Sequence, residues 1–185
     1  MEIAIFGTSA DPPTSAHRLI LDFLNQKFNL VAVYASDNPF KTHSCDLYHR
    51  NQMLGLLISE SKLLSVQLAP EISALRTIHS VEKVQQKWGE NIVITVVIGS
   101  DLIPQIFSWY EAEKLWTQVK ILIIPREGYQ PTPEIINQLN QYDYEIADFI
   151  MPSISSTDYR EAKNEQVLTP AIKSYIKDHH LYHKG

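Results

Sequence analysis

The sequence is poor in the features that would narrow its class at once. Cys45 is the only cysteine among 185 residues, so no intrachain disulfide can form, and a reducing compartment suits the chain. There is no basic bias. Sixteen Lys and Arg stand against 21 Asp and Glu, a formal net charge of −5, and such a surface does not attract a polyanion such as DNA. A local basic pocket for a small phosphate compound stays open, because net charge describes the average surface and not a cleft. Long apolar runs are missing as well. The strongest, Ile92–Ile98, falls far short of the roughly 20 residues that cross a bilayer. The chain enters Ile3-Ala4-Ile5-Phe6 without a basic, apolar leader. The expectation is a soluble, cytoplasmic protein with neither nucleic-acid nor membrane partners.

What is present reads as an ordinary globular domain. Hydrophobic residues make up 44% and charged residues 20%, against disorder. No repeat, low-complexity tract or linker interrupts the chain, so residues 1–185 are expected to form one domain. Apolar, β-branched runs predict strands at Ile3–Phe6, Leu30–Tyr34, Leu64–Leu68, Ile92–Ile98, Val119–Ile124 and Tyr144–Ile146. Amphipathic stretches between them predict helices. Strands that are apolar throughout, separated by helices, form a mainly parallel sheet covered on both faces. The expected fold is α/β, a single Rossmann-like doubly wound sheet. Ligands bind such sheets beyond the carboxyl ends of the strands, which directs attention to the loops after Phe6, Tyr34, Leu68, Ile98 and Ile124.

The first of these loops is rich in candidate groups. It runs Gly7-Thr8-Ser9-Ala10-Asp11-Pro12-Pro13-Thr14-Ser15-Ala16-His17. Gly7 permits close backbone approach, and Thr8 and Ser9 add small hydroxyls. Thr14 can cap a helix starting near Ser15, and His17 falls in its first turn, so both can face an anion held at the helix N-terminus. The same residues would also suit a plain capped turn. Neither a Gly-Lys-Ser/Thr phosphate loop nor a G-x-G-x-x-G fingerprint is present. Near the other end, Ile154-Ser155-Ser156-Thr157-Asp158-Tyr159-Arg160 opens a predicted helix with three hydroxyls and an arginine, groups that cap helices and also donate to phosphate.

Together these segments resemble the two signatures of the nucleotidylyltransferase superfamily, G-G-[ST]-F-[DN]-P-x-[HT]-x-G-H and I-S-S-T-x-[IV]-R. Thr8, Ala10 and Ala16 depart from the first, and Thr14 takes the place of its first histidine. The middle of the chain is similar to bacterial nicotinate mononucleotide adenylyltransferases. Ile98-Gly99-Ser100-Asp101 matches a loop that borders adenosine, and Asn38-Pro39-Phe40-Lys41 a proline-x-lysine loop. His49-Arg50 matches a helix-opening pair, and Ser108-Trp109-Tyr110 an element whose tryptophan stacks on pyridine. Leu75-Arg76-Thr77 and His79 stand where the family commonly has serine-tyrosine-threonine and aspartate.

The resemblance implies transfer of the adenylyl group of ATP to nicotinate mononucleotide in NAD biosynthesis. It casts His17, Lys41 and Arg160 as catalytic. ATP would be held by Gly7, Thr8, Ser9, Thr14, His17, Gly99, Asp101, Ser155, Ser156, Thr157 and Arg160. The pyridine nucleotide would meet Lys41, Arg76, Thr77, Trp109 and Tyr110. Mg²⁺ would arrive on ATP, with no dedicated protein ligands. His179, His180 and His183 read as an exposed tail, and a homo-oligomer stays open. Two alternatives remain: a related transferase acting on nicotinamide mononucleotide or another phosphorylated acceptor, and a nucleotide-binding sensor without catalysis.

Overall fold

In the computed structural model the apolar runs form one six-stranded sheet; residues 1–38, 41–128, 131–148 and 151–182 are described, which leaves Pro39, Phe40 and His183 outside. The strands are β1 (Glu2–Thr8), β2 (Leu30–Ala35), β3 (Val66–Leu68), β4 (Val93–Gly99), β5 (Lys120–Ile124) and β6 (Tyr144–Ile146). Their order is β3-β2-β1-β4-β5-β6, and every neighbouring pair is parallel. This is the doubly wound order, with its reversal between β1 and β4. The loops after those two strands are therefore the first place to look for a ligand.

The helices are α1 (Ser15–Lys27), α2 (Leu47–Ser61), α3 (Thr77–Trp88), α4 (Ile103–Ile106), α5 (Ala112–Gln118), α6 (Pro133–Leu139), α7 (Ser156–Ala162) and α8 (Pro170–Asp178). Strand β1 shows why the sequence reads as continuously apolar. Ala4 and Phe6 enter the core under α1, α2 and α8, whereas Ile3 and Ile5 enter the opposite core under α3 to α6. Both faces are covered, so neither set of alternate positions can be polar. Helix α1 buries Ala16, Ile20, Leu21 and Leu24, the i, i+4, i+5, i+8 stripe of an amphipathic helix. Each buried leucine there contributes about 1.5–3 kcal/mol.

Two elements differ from the sequence reading. Strand β3 starts at Val66, because Leu64 is 98% exposed and Ser65 N–H turns aside to Asn25 Oδ1 at 2.9 Å. Helix α4 was not expected; its four residues, with Pro104 in the first turn, are too few to show a helical period. Among the described residues no helix is long and apolar enough to cross a membrane.

Candidate active site

His17 stands at the reversal point, and its hydrogen bonds fix its tautomer. Thr14 is the N-cap of α1, and its backbone N–H donates to His17 Nδ1 at 3.1 Å. An amide N–H can only donate, so Nδ1 is an acceptor and the imidazole proton sits on Nε2. Nε2 lies 3.0 Å from Thr8 Oγ1, to which it donates. The Thr14 hydroxyl also faces Nδ1, at 3.0 Å. Burial, with the nearby Arg126 charge added, holds the His17 pKa down to about 4. At neutral pH the ring is thus an uncharged Nε2–H donor. Thr14 is fully buried, so its hydroxyl serves the ring rather than open solvent.

The other lip of the site comes from β4 and β5. The Arg126 backbone N–H donates to Ser100 Oγ at 2.9 Å, and its guanidinium pairs with Asp101 at 3.1 Å. Gly99 makes room for that pair, since a Cβ on it would sit 2.4 Å from Asp101 Oδ1. Arg126 also bridges to Met151 in parallel register. That pairing brings the loop after β6 alongside and leaves an open cleft of about 350 Å³ lined by Arg126, Glu127, Pro152, Ser153, Ser155 and Thr157. The volume lies in the range of small-ligand sites.

Helix α7 closes onto the first loop. Ser155 and Asp158 form a capping box, in which Ser155 N–H donates to Asp158 Oδ2 at 2.7 Å and Asp158 N–H to Ser155 Oγ at 3.2 Å. Ser156 Oγ donates to the Pro12 carbonyl at 2.7 Å. Arg160 donates to the Asp11 carbonyl at 2.5 Å and to Thr157 Oγ1 at 3.1 Å. Both sequence signatures therefore meet in space, although they are separated by most of the chain. Gly7 contributes in another way. A Cβ there would lie 2.8 Å from the Tyr34 ring, so the glycine is set by the packing of Tyr34 against β1.

The loop between β2 and α2 is tied to the same edge by a buried arginine. Arg50 is 1% exposed, and it donates to the carbonyls of Cys45, Ser9 and Ser36 at 3.1, 2.9 and 2.9 Å. Lys41, on that loop, is exposed. His49 bonds Tyr175 Oη at 2.8 Å through Nδ1 and lies against the His179 ring, a packing role that joins α2 to α8. Farther along the edge, the Arg76 guanidinium sits 5.6 Å from the centre of the Tyr110 ring and His79 lies 5.8 Å from it. Trp109 packs on Trp116 at 5.4 Å. Thr77 opens α3 beside Arg76.

The cytidylyltransferase-like family model matches residues 5–162. A probable nicotinate-nucleotide adenylyltransferase of Synechocystis sp. is 38% identical, covering 98% of this chain and 99% of its own. The chain belongs to the cytidylyltransferase-like family, among its nicotinate-nucleotide adenylyltransferases. The nicotinate-nucleotide adenylyltransferase of Bacillus subtilis is 26% identical over 98% of both chains. Plasmodium falciparum nicotinic acid mononucleotide adenylyltransferase complexed with NaAD shares the fold, with a TM-score of 0.83 at 24% identity over 98% and 97% of the two chains. The same protein complexed with APC gives 0.78 at 25% identity over 98% and 96%.

Within this adenylyltransferase, Gly7, Thr8, Ser9, Thr14, His17, Gly99, Asp101, Ser155, Ser156, Thr157 and Arg160 all lie at the carboxyl edge of the sheet. Arg76, Thr77, Trp109 and Tyr110 form a second group, around α3 and the segment after α4. The roles of three residues of consequence were not fully legible beforehand. Arg126 belongs to no motif, and its only signal was its place just after a buried strand. Asp158 had a signal, the Ser-x-x-Asp spacing of a capping box. Arg50 was visible as half of a pair, but its burial against three carbonyls was not.

Proposed function

We propose that the chain transfers the adenylyl group of ATP to nicotinate mononucleotide, forming nicotinate adenine dinucleotide and pyrophosphate, and that residues 1–185 act as one nucleotidylyltransferase domain. The observation that carries this reading is His17: a neutral imidazole whose Nε2 proton is fixed by the Thr14 N–H, beside Arg126, at the reversal point of the sheet. Full-length identity to a relative of that name supports the choice of acceptor.

In this reading an oxygen of the acceptor's phosphate attacks the α-phosphorus of ATP in line. The bond from α-phosphorus to the bridging oxygen breaks, and pyrophosphate carries that electron pair away. The acceptor is already an anion at neutral pH, so no covalent enzyme intermediate is required. The chain aligns two polyanions and offsets the charge that develops. His17 exchanges its bond to Thr8 for a phosphate oxygen and donates through Nε2, while Thr14 holds the ring. Arg160 and Arg126 supply fixed positive charge around the triphosphate, with Ser155 and Thr157 lining the cleft and Ser156 between them on α7. Gly7, Thr8 and Ser9 line the approach from β1, and Asp101 meets the ribose hydroxyls in the space Gly99 leaves.

Lys41 draws in the acceptor's phosphate. Trp109 and Tyr110 offer aromatic surface for the pyridine, and Arg76 and Thr77 offer charge and hydroxyl for its carboxylate. Among the described residues no group of three or more His, Cys, Asp or Glu could hold a metal ion. Mg²⁺ would arrive on ATP in this scheme and would neutralise phosphate charge there.

The test is product formation from ATP and Mg²⁺ with either nicotinate mononucleotide or its amide. The reading expects the acid dinucleotide, with a higher kcat/KM for the acid. Preference for the amide would overturn the acceptor, and absence of product from both would overturn the function.

A further inference from the structure

Asp11 is a carboxylate with almost no access to solvent, at 3% exposure, and the adenylyl-transfer scheme gives it no task. Its partners explain its position. Oδ2 accepts from the Ser44 N–H at 2.6 Å, which ties the His17 loop to the loop that carries Lys41. Its carbonyl accepts from Arg160. Oδ1 accepts from Tyr182 Oη at 2.8 Å, across 171 residues of chain. Tyr182 reaches it from just beyond the C-terminal end of α8 through an unusual backbone path. His180 and Tyr182 both adopt positive φ, 51° and 59°, a conformation that is costly for residues with side chains of this size.

Several contacts hold the tail in that shape. The Leu181 N–H donates to the Ile176 carbonyl at 3.0 Å. Lys163 Nζ donates to the Tyr182 carbonyl at 2.5 Å. The Tyr182 ring packs edge-on against Tyr159 of α7 at 5.7 Å. Burial, with the Asp11 charge added, pushes the Tyr182 phenol up, so it remains a donor throughout the working pH range. The tail thus joins α7, α8 and the first loop at one carboxylate.

We infer that Tyr182 is a positioning residue for catalysis: through Asp11 it fixes the loop that presents His17 and the attachment of that loop to the Lys41 loop. A buried carboxylate oxygen deprived of its donor moves to find another, and a displacement of about 1 Å in aligned groups costs on the order of 10²-fold in rate. The inference relies on the proposed function only for its kinetic readout.

The experiment uses the full chain with Tyr182→Phe, which keeps the ring against Tyr159 and removes only the hydroxyl. Asp11→Asn and the double variant complete the cycle. The expected result for Tyr182→Phe is a fall in kcat of about ten- to hundredfold, with a smaller change in KM for ATP. The double variant should lose less than the two singles added together, since they share the Tyr182–Asp11 bond. By NMR, amide exchange should quicken selectively at Ser44 and Thr14, whose N–H groups hang on this arrangement. Unchanged kcat with unchanged exchange at those two amides would overturn the inference, whatever happens to Tm, and so would additive losses in kcat. If the wild-type chain forms no dinucleotide, the proposed function fails on its own, and the exchange at Ser44 and Thr14 decides the inference.

Discussion

Replacing His17 by alanine should change the acid dependence of stability in a calculable way. The ring's pKa is about 4 in the folded chain against an ordinary 6.5. A histidine with a lowered folded pKa binds fewer protons folded than unfolded between those two values. Its contribution to stability is therefore fully present above pH 6.5 and is lost as the pH falls through 4. At 1.36 kcal/mol per pH unit, this amounts to about 3 kcal/mol at pH 4. The alanine variant lacks that penalty. It also lacks the imidazole that accepts from the Thr14 N–H, which costs about 1 kcal/mol, as for loss of other capping groups. The wild type should therefore be more stable by about 1 kcal/mol at pH 7 and the variant by about 2 kcal/mol at pH 4. Urea denaturation of both proteins at a series of pH values reads this directly. Parallel stability curves, with no crossing between pH 7 and 4, would refute the neutral, half-buried imidazole at the centre of the active site.

Three other substitutions probe the neighbours. Gly7→Ala drives a Cβ to 2.8 Å from the Tyr34 ring, and the overpacking should cost about 1–3 kcal/mol by urea denaturation. Arg126→Ala removes the second cause of the low His17 pKa, so an NMR titration should show the ring moving up from about 4 while burial keeps it below the ordinary value; KM for ATP should rise alongside. Trp109→Ala should raise KM for the pyridine nucleotide and leave KM for ATP unchanged, with about 0.5–1.5 kcal/mol of stability lost from the Trp116 contact; the reverse pattern in steady-state kinetics would remove Trp109 from the acceptor side.

The sheet was legible because its chemistry is local. A strand buried on both faces is apolar along its buried length, so the run Ile121–Ile124 announces β5, observed at Lys120–Ile124 with only Lys120 exposed, without reference to any neighbour. Leu64 misled because an apolar residue next to a strand looks the same whether buried or, as here, almost fully exposed. At the site, the Thr14–His17 spacing carried its own meaning, since residues N-cap and N3 face each other in every helix. Arg126 and Tyr182 carried none. Each acquires its place from partners far away in sequence, Asp101 for one and Asp11 for the other, and no local pattern encodes such pairs. The substitutions Arg76 and His79 illustrate a middle case: both were visible as departures, but only the fold shows that they converge on Tyr110.

The central claim is that a neutral His17 donates through Nε2 to the phosphate that gains charge during adenylyl transfer. The most direct measurement is the single-turnover rate of His17→Ala with saturating ATP, Mg²⁺ and nicotinate mononucleotide at pH 7, where the variant should remain folded. A fall of roughly 10²–10³ in rate with ATP affinity little changed is the expected result. A rate close to that of the wild type would contradict the account.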